Sequence, residues 1–245
     1  VLDVAVKVPV KVPAKVDARS ERWREHRKKV RADIVDAAFR AIDRLGPELS
    51  VQEIAAEAGT AKPKIYRHFH DKSDLFQAIG ERLRDMLWAA IIPSIDLKTD
   101  SARDVIGCAV GEYVSLVDRH PNVLRVFIQE RSAGTPQSTA QFLEAGRGIT
   151  LAVADMFDNE LREMELDHAA IELAAHAAFG AAASATDWWL GPDRASPRRM
   201  PHEQFVAHLT TIIVGVIAGT AEALGVTMDP GLPIHSVVLR NPTVS

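Results

Sequence analysis

The chain has 245 residues, 47% hydrophobic and 25% charged, the make-up of a globular protein with a real core. Its one cysteine, Cys108, excludes an internal disulfide and a thiolate metal cluster within the chain, and fits a reduced, intracellular setting. The net charge of −4 is unevenly spread: residues 1–91 hold 18 Lys/Arg against 14 Asp/Glu, residues 92–245 hold 11 against 19, and residues 1–31 are steepest with 10 against 4. Such a split points to a polyanion partner for the first part, with a solvated face as the plain alternative.

Residues 1–19 alternate Val with Lys and Pro and read as a disordered basic tail, or an extended arm along phosphates. No apolar run precedes a cleavage site there, so no signal peptide is expected. From Ser20 to Leu45, Val30, Ile34, Ala38, Ile42 and Leu45 recur at helical spacing, and Gly46-Pro47 stops the helix. Ser50 with Glu53 three residues on forms a capping box for a second helix, whose Val51, Ile54, Ala55 and Ala58 share a face. Gly59 supplies the left-handed residue that ends it. Pro63 suits the first turn of a third helix, which Ile65 and Phe69 would bury, leaving Lys62, Lys64, Tyr66, Arg67 and His68 on an open, basic side.

Asp71 to Asp74 signals the start of a fourth helix, carried by Leu75, Ile79, Leu83, Met86 and Leu87 and ended by Pro93. The rest stays helical: one helix from about Val105 to His120, a short one over Val123–Ile128, a loop over residues 133–138, a helix from Phe142 to Leu161, and one capped by Asp167 that runs to about Trp189. A Pro/Arg-rich loop spans residues 192–201, and the last long helix covers Phe205–Leu224. Residues 204–221 hold no Asp, Glu, Lys or Arg, close to the lower limit for a membrane span, but His208, Thr210, Thr211 and two glycines favour a buried interface helix. These last two long helices are rich in Ala and Gly, which allows close approach in a self-complementary dimer contact. Residues 229–245 read as a tail. The expectation is an all-α fold: a three-helix helix-turn-helix domain over residues 20–72 and a larger helical domain over residues 73–228.

With the Ala37-Ala38 pair, Ile54-Ala55, Ala58-Gly59, Ile65-Tyr66, Phe69, Lys72 and Leu75 in view, the chain resembles the tetracycline-repressor (TetR) family of bacterial transcriptional regulators, from about Arg31 to Ile79. It departs from that pattern in Thr60-Ala61 where the family often has Val-Ser, leaving Thr60 to substitute as cap, and in Pro63-Lys64 where the family often has Gly-Thr. The resemblance implies a cytoplasmic, nucleoid-associated homodimer on a palindromic double-stranded DNA operator. The second helix of the motif would enter the major groove. Lys62 and Lys64 would then reach base edges, Tyr66, His68 and Lys72 would grip phosphates, and Ser50 would meet the backbone. The plain readings are a cap for Ser50, partial core for Tyr66 and solvation for Lys72.

The resemblance also implies a small-molecule effector bound by the larger domain. Trp88, Phe127, Phe142, Met156, His176, Phe179 and Trp188 are the candidate lining, with ordinary core as the alternative for each. Such a pocket would be apolar. The nine histidines offer no metal-ligand spacing, no cofactor is expected, and no phosphate loop or nucleophile elbow suggests an enzyme. A ligand-responsive repressor leads, ahead of a regulator of the same fold that activates or lacks a ligand, and of a helical enzyme or lipid carrier.

Overall fold

The computed structural model describes residues 18–96, 98–132, 167–191, 197–233 and 238–239. Its helices are α1 (Ala18–Leu45), α2 (Val51–Glu57), α3 (Lys62–Ile65), α4 (Lys72–Ile91), α5 (Ala102–Arg119), α6 (Pro121–Ser132), α7 (His168–Leu190) and α8 (His202–Ala223). The expected helix from Phe142 to Leu161 and the loop over residues 133–138 lie outside the described residues.

Local chemistry sets most of the boundaries. Gly46, at φ 102°, closes α1 with its N–H on the Ile42 carbonyl at 2.8 Å. Asp71 caps α4 by accepting from the Asp74 N–H, and Ser101 caps α5 in a second capping box with Asp104. Asp167 caps α7 through the Ala169 N–H. After α4 the chain tightens into a 3-10 turn, Ile92–Ser94, because Pro93 cannot donate to the α-helical ladder.

Two apolar clusters organise the packing. In the first, Ile34, Ala38 and Ile42 of α1 meet Ile54 of α2, Ile65 of α3, Phe69, and Leu75 and Ile79 of α4. The second joins Val110, Val114 and Val117 of α5 to Trp189 and Leu190 of α7 and Phe205 and Leu209 of α8. Helix α6 belongs to both, since Val123 and Val126 enter the first cluster and Leu124 the second. Leu83 of α4 also packs against both. The two cores thus share a joint of directly packed side chains.

Residues 229–245, which read as a tail from their prolines, fold back in their described part. Gly225, at φ 74°, reverses the chain after α8, and the Arg103 N–H at the start of α5 donates to the Pro230 carbonyl at 2.9 Å. Val226–Thr227 then pairs antiparallel with Val238–Leu239.

Candidate nucleic-acid interface

Helix α2 starts as its residues dictate. The Ser50 hydroxyl accepts from the Glu53 N–H at 3.3 Å, and the Glu53 carboxylate accepts from the Ser50 N–H at 2.6 Å and from the Ser50 hydroxyl at 2.8 Å. Those bonds hold the Glu53 carboxyl below the usual carboxylate range, and they occupy the Ser50 hydroxyl as a cap. At the other end Gly59 sits at φ 62°, and the Thr60 N–H returns to the Ala55 carbonyl at 2.8 Å.

Helix α3 differs from expectation at its start. The residue at the cap position is Ala61, in extended backbone, and no side chain caps the helix; the substitution of Thr60 for the missing serine is not realised, because Thr60 precedes the cap position and closes the α2 turn instead. The regular helix covers only Lys62–Ile65, with Pro63 in its first turn, although the Phe69 N–H still reaches the Ile65 carbonyl at 3.0 Å. Ile65 and Phe69 are fully buried, and that burial holds so short a helix in place.

The side chains turned outward form a continuous basic surface. Lys62, Lys64, Tyr66 and Arg67 are exposed, His68 is half-buried, and Lys72 is exposed at the start of α4. Lys62 lies 6.0 Å from the Tyr66 ring, and Lys72 lies 4.9 Å from the Phe76 ring. Partial burial, followed by the charges of Arg27, Arg67, Lys64 and His26, holds the His68 imidazole below its ordinary value. His68 is therefore mostly neutral at neutral pH, set in a field that attracts an anion.

Arg31 fastens this segment from behind, and no sequence motif marked it. One guanidinium nitrogen donates to the His68 carbonyl at 2.8 Å, the other to Asp74 Oδ1 at 2.5 Å, and the group lies 4.2 Å from the centre of the Phe69 ring. Asp74 Oδ2 accepts from the His70 N–H at 2.8 Å. The Arg31 guanidinium keeps the Asp74 carboxyl low despite its partial burial. Asp74 was visible as an acid in the first turn of α4, but its partner stands 43 residues upstream, beyond the reach of local pattern.

Five of the seven residues expected to line an effector pocket are among the described residues. Trp88 is half-buried on α4. Phe127 packs against the first cluster, its ring 3.4 Å from where a Cβ on Gly80 would stand. His176 and Phe179 are half-buried on α7. Trp188 is 46% exposed with Arg199 over its ring; its neighbour Trp189 turns inward instead and stacks on Phe205 at 4.5 Å. Phe142 and Met156 lie outside the described residues. An open groove between α5 and α8, lined by Cys108, Glu112, Ser115, His202 and Glu203 among others, includes none of these residues.

Between α5 and α7 the Tyr113 and Thr186 hydroxyls lie 2.8 Å apart, and burial pushes the Tyr113 phenol up to about 12. Helical spacing marked Tyr113 only as one more apolar position, and nothing local marked Thr186.

A capped helix, a tight glycine turn and a short basic helix on a compact helical core define a helix-turn-helix DNA-binding protein with a second helical domain behind it. The family profile described as "Bacterial regulatory proteins, tetR family" matches residues 34–79. An uncharacterised HTH-type transcriptional regulator of Mycobacterium tuberculosis is 30% identical over 208 residues, covering 83% of this chain and 84% of that protein. Among solved structures, the regulator FadR from Bacillus subtilis in complex with stearoyl-CoA superposes with a TM-score of 0.55 at 19% identity, over 77% of this chain and 98% of that one. RolR in complex with resorcinol gives 0.55 at 18% identity, over 82% and 95%. The chain belongs to the TetR family of transcriptional regulators.

Proposed function

We propose that the protein is a dimeric, ligand-responsive repressor, with its reading head in residues 20–72, its effector site and dimer contact in residues 73–228, and a small apolar effector that releases it from a palindromic operator. The observation that carries the reading is the exposed set Lys62, Lys64, Tyr66 and Arg67 on a segment, α3 and the turn after it, whose inward side chains, Ile65 and Phe69, are fully buried. Lys62 and Lys64 supply donors for guanine O6 and N7, while Tyr66, Arg67, His68 and Lys72 meet phosphates. Ser50 and Thr60 approach the backbone from the turn.

Support for a dimer comes from α7 and α8, which pack on each other. The α8 stretch is apolar enough to cross a membrane by length and composition, yet only 22% of it is buried within the chain. Leu173 and Trp188 on α7 and Ile212 on α8 are exposed at 70%, 46% and 50%. A second copy laid on this face would remove that apolar surface from water. The small molecules carried by FadR and RolR support an effector here without naming it. An effector acts only through its preference for the form that cannot bind DNA, and the joint at α6 and Leu83 is the route by which such a preference reaches the head.

The test is the double variant Lys62→Ala, Lys64→Ala on duplexes selected from a random pool by the wild-type protein. Loss of sequence preference is expected, with general DNA affinity lowered less. Unchanged preference at fixed salt would exclude α3 as the reading helix.

A further inference from the structure

We propose that the free end of α1, through Arg24, Arg27 and Lys28, is a second DNA-contacting element that grips duplex phosphates beside the bases reached by α3. This rests on the DNA-binding reading above and extends its footprint to a segment outside the helix-turn-helix.

Residues 22–29 are all exposed, and from Arg22 onward the first α1 side chain packed against the apolar core is Val30. With about 1.5 Å of rise per residue, the eight exposed residues before Val30 span about 12 Å. Residues 22–31 hold six Lys/Arg against the single Glu25, a density of like charge that works against an exposed stretch of helix. A polyanion along the helix removes that repulsion.

The direction of the helix surface follows from Arg31. Its guanidinium donates to the His68 carbonyl, so the α1 face bearing Arg31 is turned toward the end of the reading segment. Residues three, four and seven positions earlier share that face, and these are Lys28, Arg27 and Arg24. Lys29 and Arg22 fall on the opposite side, at about 100° per residue. The electrostatics agree, because Arg27 and His26 join Lys64 and Arg67 in depressing the His68 imidazole and so contribute to one positive field. Lys28 meets Glu25 at 3.6 Å, an exposed pair of the weak kind that a phosphate displaces. At ~3.4 Å per base pair, about 12 Å of helix runs past about three to four base pairs.

The experiment compares two double variants of the full chain that lose the same charge from opposite sides of α1. In Arg24→Gln with Lys28→Gln the proposed face is neutralised; in Arg22→Gln with Lys29→Gln it is kept. Glutamine preserves helix propensity, and circular dichroism melts check that both remain folded. The readout is the slope of log affinity against log salt on a duplex of random sequence, which needs no known operator. The first pair should flatten the slope by about 0.9 for each phosphate that is no longer neutralised, and the second should leave it near the wild-type value. Wild-type slopes in both variants, or equal flattening in both, would overturn the proposal while leaving the reading head intact. Failure of the wild-type chain to bind any duplex would overturn both.

Discussion

Arg31 joins three segments because a guanidinium presents several donors in a rigid fork, and here the fork spans the His68 carbonyl and the Asp74 carboxylate while its plane covers Phe69. Truncation to Ala takes the cation away from the Asp74 carboxylate, which keeps the His70 N–H, and frees the end of the reading segment. For a pair about one third exposed, a loss of about 1–2 kcal/mol in urea melts is expected, together with weaker operator binding. Arg31→Lys should rescue little, since an ammonium cannot span both acceptors. The same pair sets an acid dependence. Asp74 has a folded value below its ordinary 3.8, so its stabilising contribution is full above that value and is lost as pH falls through the depressed one. His68 behaves likewise in a higher window. Its folded value lies below 6.5, so the unfolded chain takes up the proton first, and stability declines as pH drops below 6.5. In His68→Gln that part of the decline should disappear from melts recorded across this range.

At the scale of the element, α3 is held by its neighbours more than by its own sequence. Four residues are too few to be helical alone, and Ala61 leaves the N-terminus without a side-chain cap. The backbone at Ala61, φ −107° and ψ 148°, is already the extended conformation a capping serine adopts. Ala61→Ser should therefore raise stability by about 0.5–1 kcal/mol, seen as a higher urea midpoint at unchanged slope. Ile65, with no exposed surface, is the anchor of the helix, and Ile65→Ala should cost about 2–5 kcal/mol and abolish specific DNA binding. Gly59 is a different kind of requirement. A Cβ there meets nothing within 4 Å, so the cost of Gly59→Ala, about 1 kcal/mol, is the left-handed backbone alone.

For the whole molecule, the joint between the two cores and the exposed face of α7 and α8 carry the consequences. Asp43 of α1 accepts on its carbonyl from the Asn122 side chain at 2.9 Å, and its carboxylate lies 2.5 Å from the His120 ring, which in turn sits edge-on to Phe39. These contacts clamp the start of α6 to the end of α1. Leu173→Glu with Ile212→Glu places charge on the proposed dimer face without touching the core. Sedimentation should then report a monomer, and affinity for a two-half-site duplex should fall toward that for a single half-site. A dimer of unchanged stability would move the contact elsewhere on the surface.

The Ser50–Glu53 capping box, the glycine turn and the apolar spacing of α1, α2 and α4 were legible in the chain because each depends on residues within four positions of one another. The helix-turn-helix and its outward-facing lysines followed from the same local rules. Longer-range facts were not available that way. Arg31 and Asp74 are 43 residues apart, and nothing in either neighbourhood marks the pair. Trp188 and Trp189 are adjacent aromatic residues, yet packing against Phe205 takes Trp189 inside and leaves Trp188 under Arg199 at the surface. Even the basic run of α1 acquired a direction only when the Arg31 hydrogen bond showed which face is turned toward the end of the reading segment. Periodicity and capping are properties of the covalent neighbourhood, whereas the partner of a buried charge and the inward side of an aromatic pair depend on which distant segment the folded chain brings alongside.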